Sequence, residues 1–182
     1  MKKVTKFAIA FGFSGKFLRD TLNFQRKLKK YKIKFMIEDH ILPHLTIIAG
    51  NTNLDNQKKI FNFFKKNRLK QFKILSPGLG IFANKYPNLH IRWEYNKQLL
   101  KYSEKIVKNI SHYFSNIKTS STSSLWVPKS TLAWKDLKYT QLNKIFLSNK
   151  HIFQSRACTI DKIYLIDFTN NKEKLAYKIS LR

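Results

Sequence analysis

Pro43-His44-Leu45-Thr46-Ile47 and Pro128-Lys129-Ser130-Thr131-Leu132 are one pattern written twice, 85 positions apart, with Lys in the second copy where the first has His. In an extended strand successive side chains alternate faces, so His44 and Thr46 share one side of their strand and Lys129 and Thr131 one side of theirs. Two such strands facing each other would surround one phosphate. A His takes or gives a proton near neutral pH, a Thr hydroxyl donates to a phosphoryl oxygen, and a second basic group opposite completes an acid/base pair. The chemistry suggested is phosphodiester cleavage without a metal.

The chain between and around the motifs reads as alternating strands and helices. Residues 4–13 form an expected strand, and Ser14 is placed to cap a helix carrying Phe17, Leu18, Leu22 and Leu28. A short strand is expected over 32–38, where Phe35 and Ile37 alternate with Lys34 and Met36. The first motif strand, 44–49, closes at Gly50-Asn51, and Asn53-Leu54-Asp55 opens a helix with Ile60, Phe63 and Phe64 on its apolar side. Residues 72–75, 79–83 and 88–95 read as strands, the last two separated by a turn near 84–87. The clearest helix spans about 96–114, with Leu99, Leu100, Ile106, Val107, Ile110, Tyr113 and Phe114 at helical spacing. Residues 118–124, rich in Ser and Thr, read as a mobile linker before the second motif strand. A helix over 140–147 and a hairpin of 158–168 with 175–181, turning at Asn170-Asn171, complete an α+β pattern of short, mainly antiparallel strands with helices outside.

In these contexts the two motifs resemble the signature of the 2H phosphoesterases, which include the 2'-5' RNA ligase-like proteins and the RNA 2',3'-cyclic phosphodiesterases. That signature is two His-x-Thr motifs, each on a strand of one of two similar lobes. Pro43-His44-Leu45-Thr46-Ile47-Ile48 fits the first, and Trp126-Val127-Pro128-Lys129-Ser130-Thr131-Leu132-Ala133 fits the second at every position but the catalytic one. The family's order of strand, helix, strand, motif, helix, strand pair, helix, motif and closing hairpin can be followed along nearly the whole chain. The resemblance implies a single bilobal domain over residues 1–182, its two similar lobes enclosing a cleft. It further implies a metal-independent phosphodiesterase acting on RNA 2',3'-cyclic phosphate ends or a related 2'-linked nucleotide bond. His44, Thr46, Lys129 and Thr131 are then the catalytic set, with no cofactor and no metal.

Lys129 is the departure from that pattern. In the implied mechanism one His activates water or a ribose hydroxyl while the other protonates the leaving oxygen. A Lys, with an ordinary pKa of about 10.4 against about 6.5 for His, stays charged at neutral pH unless burial lowers it. It can clamp phosphate, but an untuned Lys is poorly matched to proton transfer. The alternative is therefore a catalytically impaired RNA- or nucleotide-binding module that keeps the cleft.

Composition bounds both readings. A chain of 182 residues with 43% hydrophobic and 14% aromatic content buries enough surface to fold without staples. One cysteine, Cys158, excludes an internal disulfide and a multi-cysteine zinc site, and fits a reducing cytoplasm. The apolar run 7–13 behind Lys2, Lys3 and Lys6 is short for a secretion signal, and nothing approaches the ~18 apolar residues of a membrane span, so no membrane association and a cytoplasmic monomer are expected. A net charge of +26, from 36 basic and 10 acidic residues, points to RNA or a nucleotide as partner. His40 and His44 have the i, i+4 spacing of a zinc pair, but Pro43 between them breaks the helix that spacing needs. His90 alternates with Arg92 in a strand and reads as structural or cleft-lining; His112 and His151 read as helix-surface and loop residues. Trp126, Trp134, Phe82, Tyr86 and Trp93 are candidates for stacking on a base, against a core role for each.

Overall fold

Strand β1, Val4–Phe13, sorts its side chains strictly by parity: Phe7, Ile9, Phe11 and Phe13 enter the main core, while Ala8, Ala10 and Gly12 face the other way. This was determined from a computed structural model that describes residues 4–38, 42–149, 155–170 and 172–182. β1 lies between β2, His44–Asn53, and β8, Arg156–Asp167, antiparallel to both. Outside β2 runs β6, Ser115–Ser120. β8 is long enough to pair on its other edge with β3, Phe72–Ser76, through its first half and with β9, Lys174–Ser180, through its second. These six strands form one sheet, and a second sheet of three strands has the order β4, Gly78–Phe82, β5, Asn88–Arg92, and β7, Lys129–Ala133. Every pairing is antiparallel, so the architecture is α+β with two antiparallel sheets, as the sequence pattern implies.

The helices cover the aromatic side of the large sheet and the inner side of the small one. Helix α1, Gly15–Leu28, buries Phe17, Thr21, Phe24 and Leu28, an i, i+4, i+7, i+11 stripe, with Leu18 partly buried at its flank. Its polar buried members are satisfied: Thr21 Oγ1 donates to the Phe17 carbonyl at 2.8 Å, and Gln25 Nε2 donates to the Leu132 carbonyl of β7 at 3.4 Å. Ser14 precedes the helix but makes no side-chain cap; its hydroxyl donates to Asp161 instead, tying α1 to β8. Helices α3, Leu54–Lys66, and α4, Lys97–Ile110, are capped by Asn53 and Asn96, whose side chains accept from the N–H of Asn56 and Leu99. α5, Tyr139–Asn149, follows β7.

Several expectations fail. Residues 32–38 are not a strand: Lys32 takes a left-handed conformation (φ 62°) and Phe35–Glu38 turn into a short helix, α2. The alternation there was outweighed by Asp136, whose Oδ2 accepts from the N–H groups of Lys34 and Phe35 at 2.6 and 2.8 Å and fixes the start of the turn. Residues 118–124 are not wholly a linker either, because 115–120 pair with β2 as strand β6, with Ile48 opposite Ser120 and Ala49 opposite Thr119. Ser and Thr carry enough strand propensity to pair once an apolar partner edge is presented. β2 likewise runs on past Gly50 to Asn53. His112 sits in a 3-10 turn after α4, and His40, His151 and Asn171 lie outside the described residues. Among the described residues no helix is long and apolar enough to cross a membrane.

Gly12 shows how tightly the non-aromatic side of β1 is used. A Cβ there would lie 2.4 Å from Cε2 and Cζ of Tyr164, whose ring covers the glycine and is itself 1% exposed. Gly12→Ala is therefore expected to cost about 1–3 kcal/mol, the usual cost of overpacking, read as a lower urea midpoint at unchanged m-value.

Candidate active site

The two sheets touch along β2 and β7, the two motif strands. The cross-strand register of β1 and β2 sets His44 opposite Gly12 and Thr46 opposite Ala10, so both motif side chains stand on the small-residue side of the large sheet. In the small sheet Thr131 pairs with His90 and Lys129 with Arg92. His44, Thr46, Lys129 and Thr131 together line one cleft of about 140 Å3, with Met36, Leu42, Pro43, Trp134 and Glu173. The structure thus brings all four sequence-predicted site residues to one place, from two sheets and positions 85 apart.

Hydrogen bonds orient the side chains of the cleft. His44 Nδ1 lies 3.0 Å from the Leu42 carbonyl oxygen, an acceptor only, so Nδ1 carries the proton and Nε2 is left as the basic nitrogen of the neutral ring. Lys129 Nζ donates to Thr131 Oγ1 at 3.0 Å, leaving the Thr131 O–H to donate to another acceptor. Burial pushes the Lys129 ammonium below the usual lysine range. An oxyanion meeting this cleft finds one cation, two hydroxyls and one imidazole.

Supporting contacts come from outside both motifs. Trp126 Nε1 donates to the Thr46 carbonyl at 3.2 Å, and the Tyr95 hydroxyl donates to the Trp126 carbonyl, locking the residues before β7 onto β2. Trp93 Nε1 donates to Ser130 Oγ at 2.9 Å from the core side of β7. Trp126 and Trp93 are therefore walls and core, not free stacking platforms; Phe82 and Trp134 are the aromatic candidates that keep a surface on the cleft region. Phe35 meets Trp134 edge to face, and Lys135 Nζ sits 4.2 Å above the Phe35 ring, so α2 and its Met36 are held against the end of β7. Glu173, on the approach to β9, lines the cleft without any signal in the sequence pattern.

His90 is the residue whose role sequence left open. It is 2% exposed, points to the same side of the small sheet as Thr131, and carries the Phe82 ring at 4.5 Å between centroids. Its Nδ1 lies 3.1 Å from the Asn88 carbonyl, and its Nε2 occupies the space a side chain at Gly80 would need. Burial, joined by the charges of Lys129 and Arg92, lowers its pKa to about 4 despite the Asn88 bond. His90 is thus a neutral platform under Phe82 and beside Lys129. The one cysteine, Cys158, is buried, and burial raises its thiol to about 12, which makes it inert.

Solved structures share this arrangement of elements over nearly the full length. The chain superposes on apo E. coli LigT with a TM-score of 0.62 at 9% identity, covering 98% of each chain. It superposes on E. coli LigT complexed with 3'-AMP with a TM-score of 0.61 at 10% identity, again covering 98% of each. Against TT0787 of Thermus thermophilus the TM-score is 0.57 at 13% identity, covering 97% of this chain and 98% of that one. The fold is that of these solved structures. Neither a family model nor a curated protein matches the chain by sequence, so at these identities the likeness rests on backbone arrangement alone.

The buried His90 makes stability pH-dependent with a definite sign. Its folded pKa, about 4, lies below the ordinary 6.5, so between those values the unfolded chain holds a proton that the folded chain excludes. Stability is full above pH 6.5 and falls as pH drops through that window, by about 2–4 kcal/mol at most. Urea unfolding of the native chain and of His90→Asn, which keeps a donor near the Nδ1 position, should show a loss between pH 7 and 4.5 that is smaller in the variant.

Proposed function

We propose that the chain is a phosphodiesterase of the 2H type, acting without a metal on RNA 2',3'-cyclic phosphate ends or a related 2'-linked nucleotide bond, through one bilobal domain working as a cytoplasmic monomer. The observation that carries the reading is that His44, Thr46, Lys129 and Thr131 line one cleft. A nucleotide partner is supported by the net charge of +26 and by the 3'-AMP, ATP and NADP+ complexes of E. coli LigT.

The chemistry follows from the two basic groups. With its proton on Nδ1, His44 takes a proton from water at Nε2 as the water oxygen bonds to phosphorus. The bond from phosphorus to the 2'-oxygen breaks in the same displacement, and the leaving oxygen takes a proton from the Lys129 ammonium. Water replaces one P–O bond by another, His44 ends protonated and Lys129 neutral, and solvent restores both. Burial that lowers the Lys129 pKa makes it a better acid than an exposed Lys, which answers the mismatch raised by replacing His. Thr46 and Thr131 hydroxyls donate to the non-bridging oxygens, where negative charge builds.

The substitution of Lys for the second His favours a second reading, a binding module that holds the same ligand without turnover. Hydrolysis of a short RNA ending in a 2',3'-cyclic phosphate separates the two. The native chain should open the ring, and His44→Ala and Lys129→Met should each lose about 10²–10⁴ in rate. Lys129→His should retain turnover and move the basic limb of the pH–rate profile toward neutrality. A native chain that binds this RNA with no turnover, unaltered in any variant, assigns the binding module instead.

A further inference from the structure

The cleft, and the wider hollow of about 330 Å3 between β6 and Phe82 that Thr46 and Lys129 also line, lie on the small-residue side of the large sheet. The aromatic side is covered by α3 and α4, and what those helices present to solvent plays no part in the cleft. Ile60 and Phe64 of α3 and Leu99, Ile106, Val107 and Ile110 of α4 enter the main core, and Tyr102 meets Phe72 edge to face at 5.4 Å. Asn56 Nδ2 of α3 donates to the Tyr113 carbonyl just beyond α4 at 3.3 Å, and the Lys70 N–H beyond α3 donates to the Tyr102 hydroxyl at 3.2 Å. The start of α3 is thus tied to the end of α4, and the chain after α3 to the middle of α4, which sets the two helices side by side and antiparallel.

The outward face of α4 is a row of lysines. Lys97, Lys101, Lys105 and Lys108, spaced i, i+4, i+8 and i+11, are all exposed on the side opposite the buried stripe. At 1.5 Å per residue the row is about 16 Å long. Among the described residues none of the four makes an ion pair or lies over a ring, and Glu104, the one acid of the helix, bridges to none of them. Like charges three and four positions apart work against a helix, so nothing in the fold accounts for the row. Nor does composition. Residues 54–70 and 97–110 hold ten cations and two acids, about twice the net charge per residue of the rest of the chain.

The row offers no ring for a base to stack on, which is how unpaired nucleotides are held. It offers no apolar side chain to enter a bilayer either, because the apolar stripe of α4 is already buried in the core. A straight line of charges on a rigid helix suits a partner whose phosphates stand in regular rows. We propose that the α3–α4 face docks double-stranded RNA through its phosphate backbone, as a second nucleic-acid surface on the opposite side of the sheet from the cleft. Phosphate contacts position a duplex without reading its bases, so the face is indifferent to sequence. The choice of RNA over DNA rests on the phosphodiesterase reading of the cleft; the duplex-binding face does not.

The test is binding of a blunt RNA duplex with hydroxyl ends, which bring no terminal phosphate to the cleft, at two salt concentrations. A single RNA strand and a DNA duplex of the same length, and phosphatidylserine vesicles, are the other ligands. The native chain is compared with a row variant, Lys97→Gln, Lys101→Gln, Lys105→Gln and Lys108→Gln together. A control variant, Lys16→Gln, Lys27→Gln, Lys30→Gln and Lys138→Gln together, removes the same charge from equally exposed positions. The row variant should bind the RNA duplex about tenfold or more weakly, with its log–log salt slope reduced by about 3–4, the share of four duplex phosphates, while the control loses less than about threefold. The urea midpoint of the row variant should equal or exceed the native one, because like-charge neighbours have been removed, so the loss of binding is not a loss of fold. The RNA duplex should bind more tightly than the single strand and at least as tightly as the DNA duplex. Equal losses in the two variants overturn the inference, as do tighter binding of the single strand or the DNA duplex, or binding confined to the vesicles; each leaves the cleft reading standing. The expected duplex binding in a native chain that opens no 2',3'-cyclic phosphate keeps the inference and overturns the cleft reading.

Discussion

The rest of the structure depends on the way β1 divides large side chains from small ones. Four aromatic or aliphatic residues on one face anchor α1 and the main core, and Ala8, Ala10 and Gly12 on the other leave room for the Tyr164 ring and a second, smaller cluster with Ala49 and Ile166. Because β1 is central, its parity is imposed on both neighbours: Leu45 and Ile163 follow Phe11 into the core, and His44 and Lys162 stand beside Gly12. A strand shifted by one residue would bury His44 and expose Leu45. The His44 imidazole is thus aimed by hydrophobic burial, which stabilises each large buried side chain by roughly 1.5–3 kcal/mol.

Bringing the second motif to the first is a different problem, because β7 belongs to the other sheet. The union is made by tertiary contacts: Gln25 of α1 reaches the Leu132 carbonyl, the Trp93 indole reaches Ser130, and the Trp126 indole reaches the Thr46 carbonyl. The ring cluster of Phe13, Phe17 and Trp93, with centroids 5.3–5.5 Å apart, fills the junction beneath them. Each indole N–H finds a partner, so the tryptophans supply apolar bulk and fix orientation at once. Asp136 acts from the far end of β7, holding α2 so that Met36 closes one side of the cleft.

Lys129 shows why a substitution cannot be read apart from its surroundings. On an exposed strand a lysine in place of a histidine would be a charged clamp. Placed over Phe82, beside a neutral His90 and bonded to Thr131, its ammonium is taken out of water and becomes easier to deprotonate. His90 contributes by staying uncharged, so it adds no positive charge to those of Lys129 and Arg92 on the same face. The same neutral ring supports Phe82, so Lys129 of the narrow cleft and Phe82 of the wider hollow share one buried neighbour.

What the sequence by itself determined is whatever depends on neighbours along the chain. The strand 4–13, the helices starting after Asn53 and Asn96, the closing hairpin and the two motif strands all follow from periodicity and capping, and the structure has them. It also named the four residues that meet in the cleft, because alternation within each motif fixes which side chains travel together. The structure alone decided the rest. Residues 35–38 turned helical because a carboxylate about a hundred positions away, that of Asp136, accepts the N–H groups of Lys34 and Phe35, and 115–120 became a strand because β2 offered an edge. The burial of His90 and Lys129, the place of Glu173, and the hollow between β6 and Phe82 have no local signature. Each depends on the free energy of contacts between distant segments, which pattern along the chain does not encode.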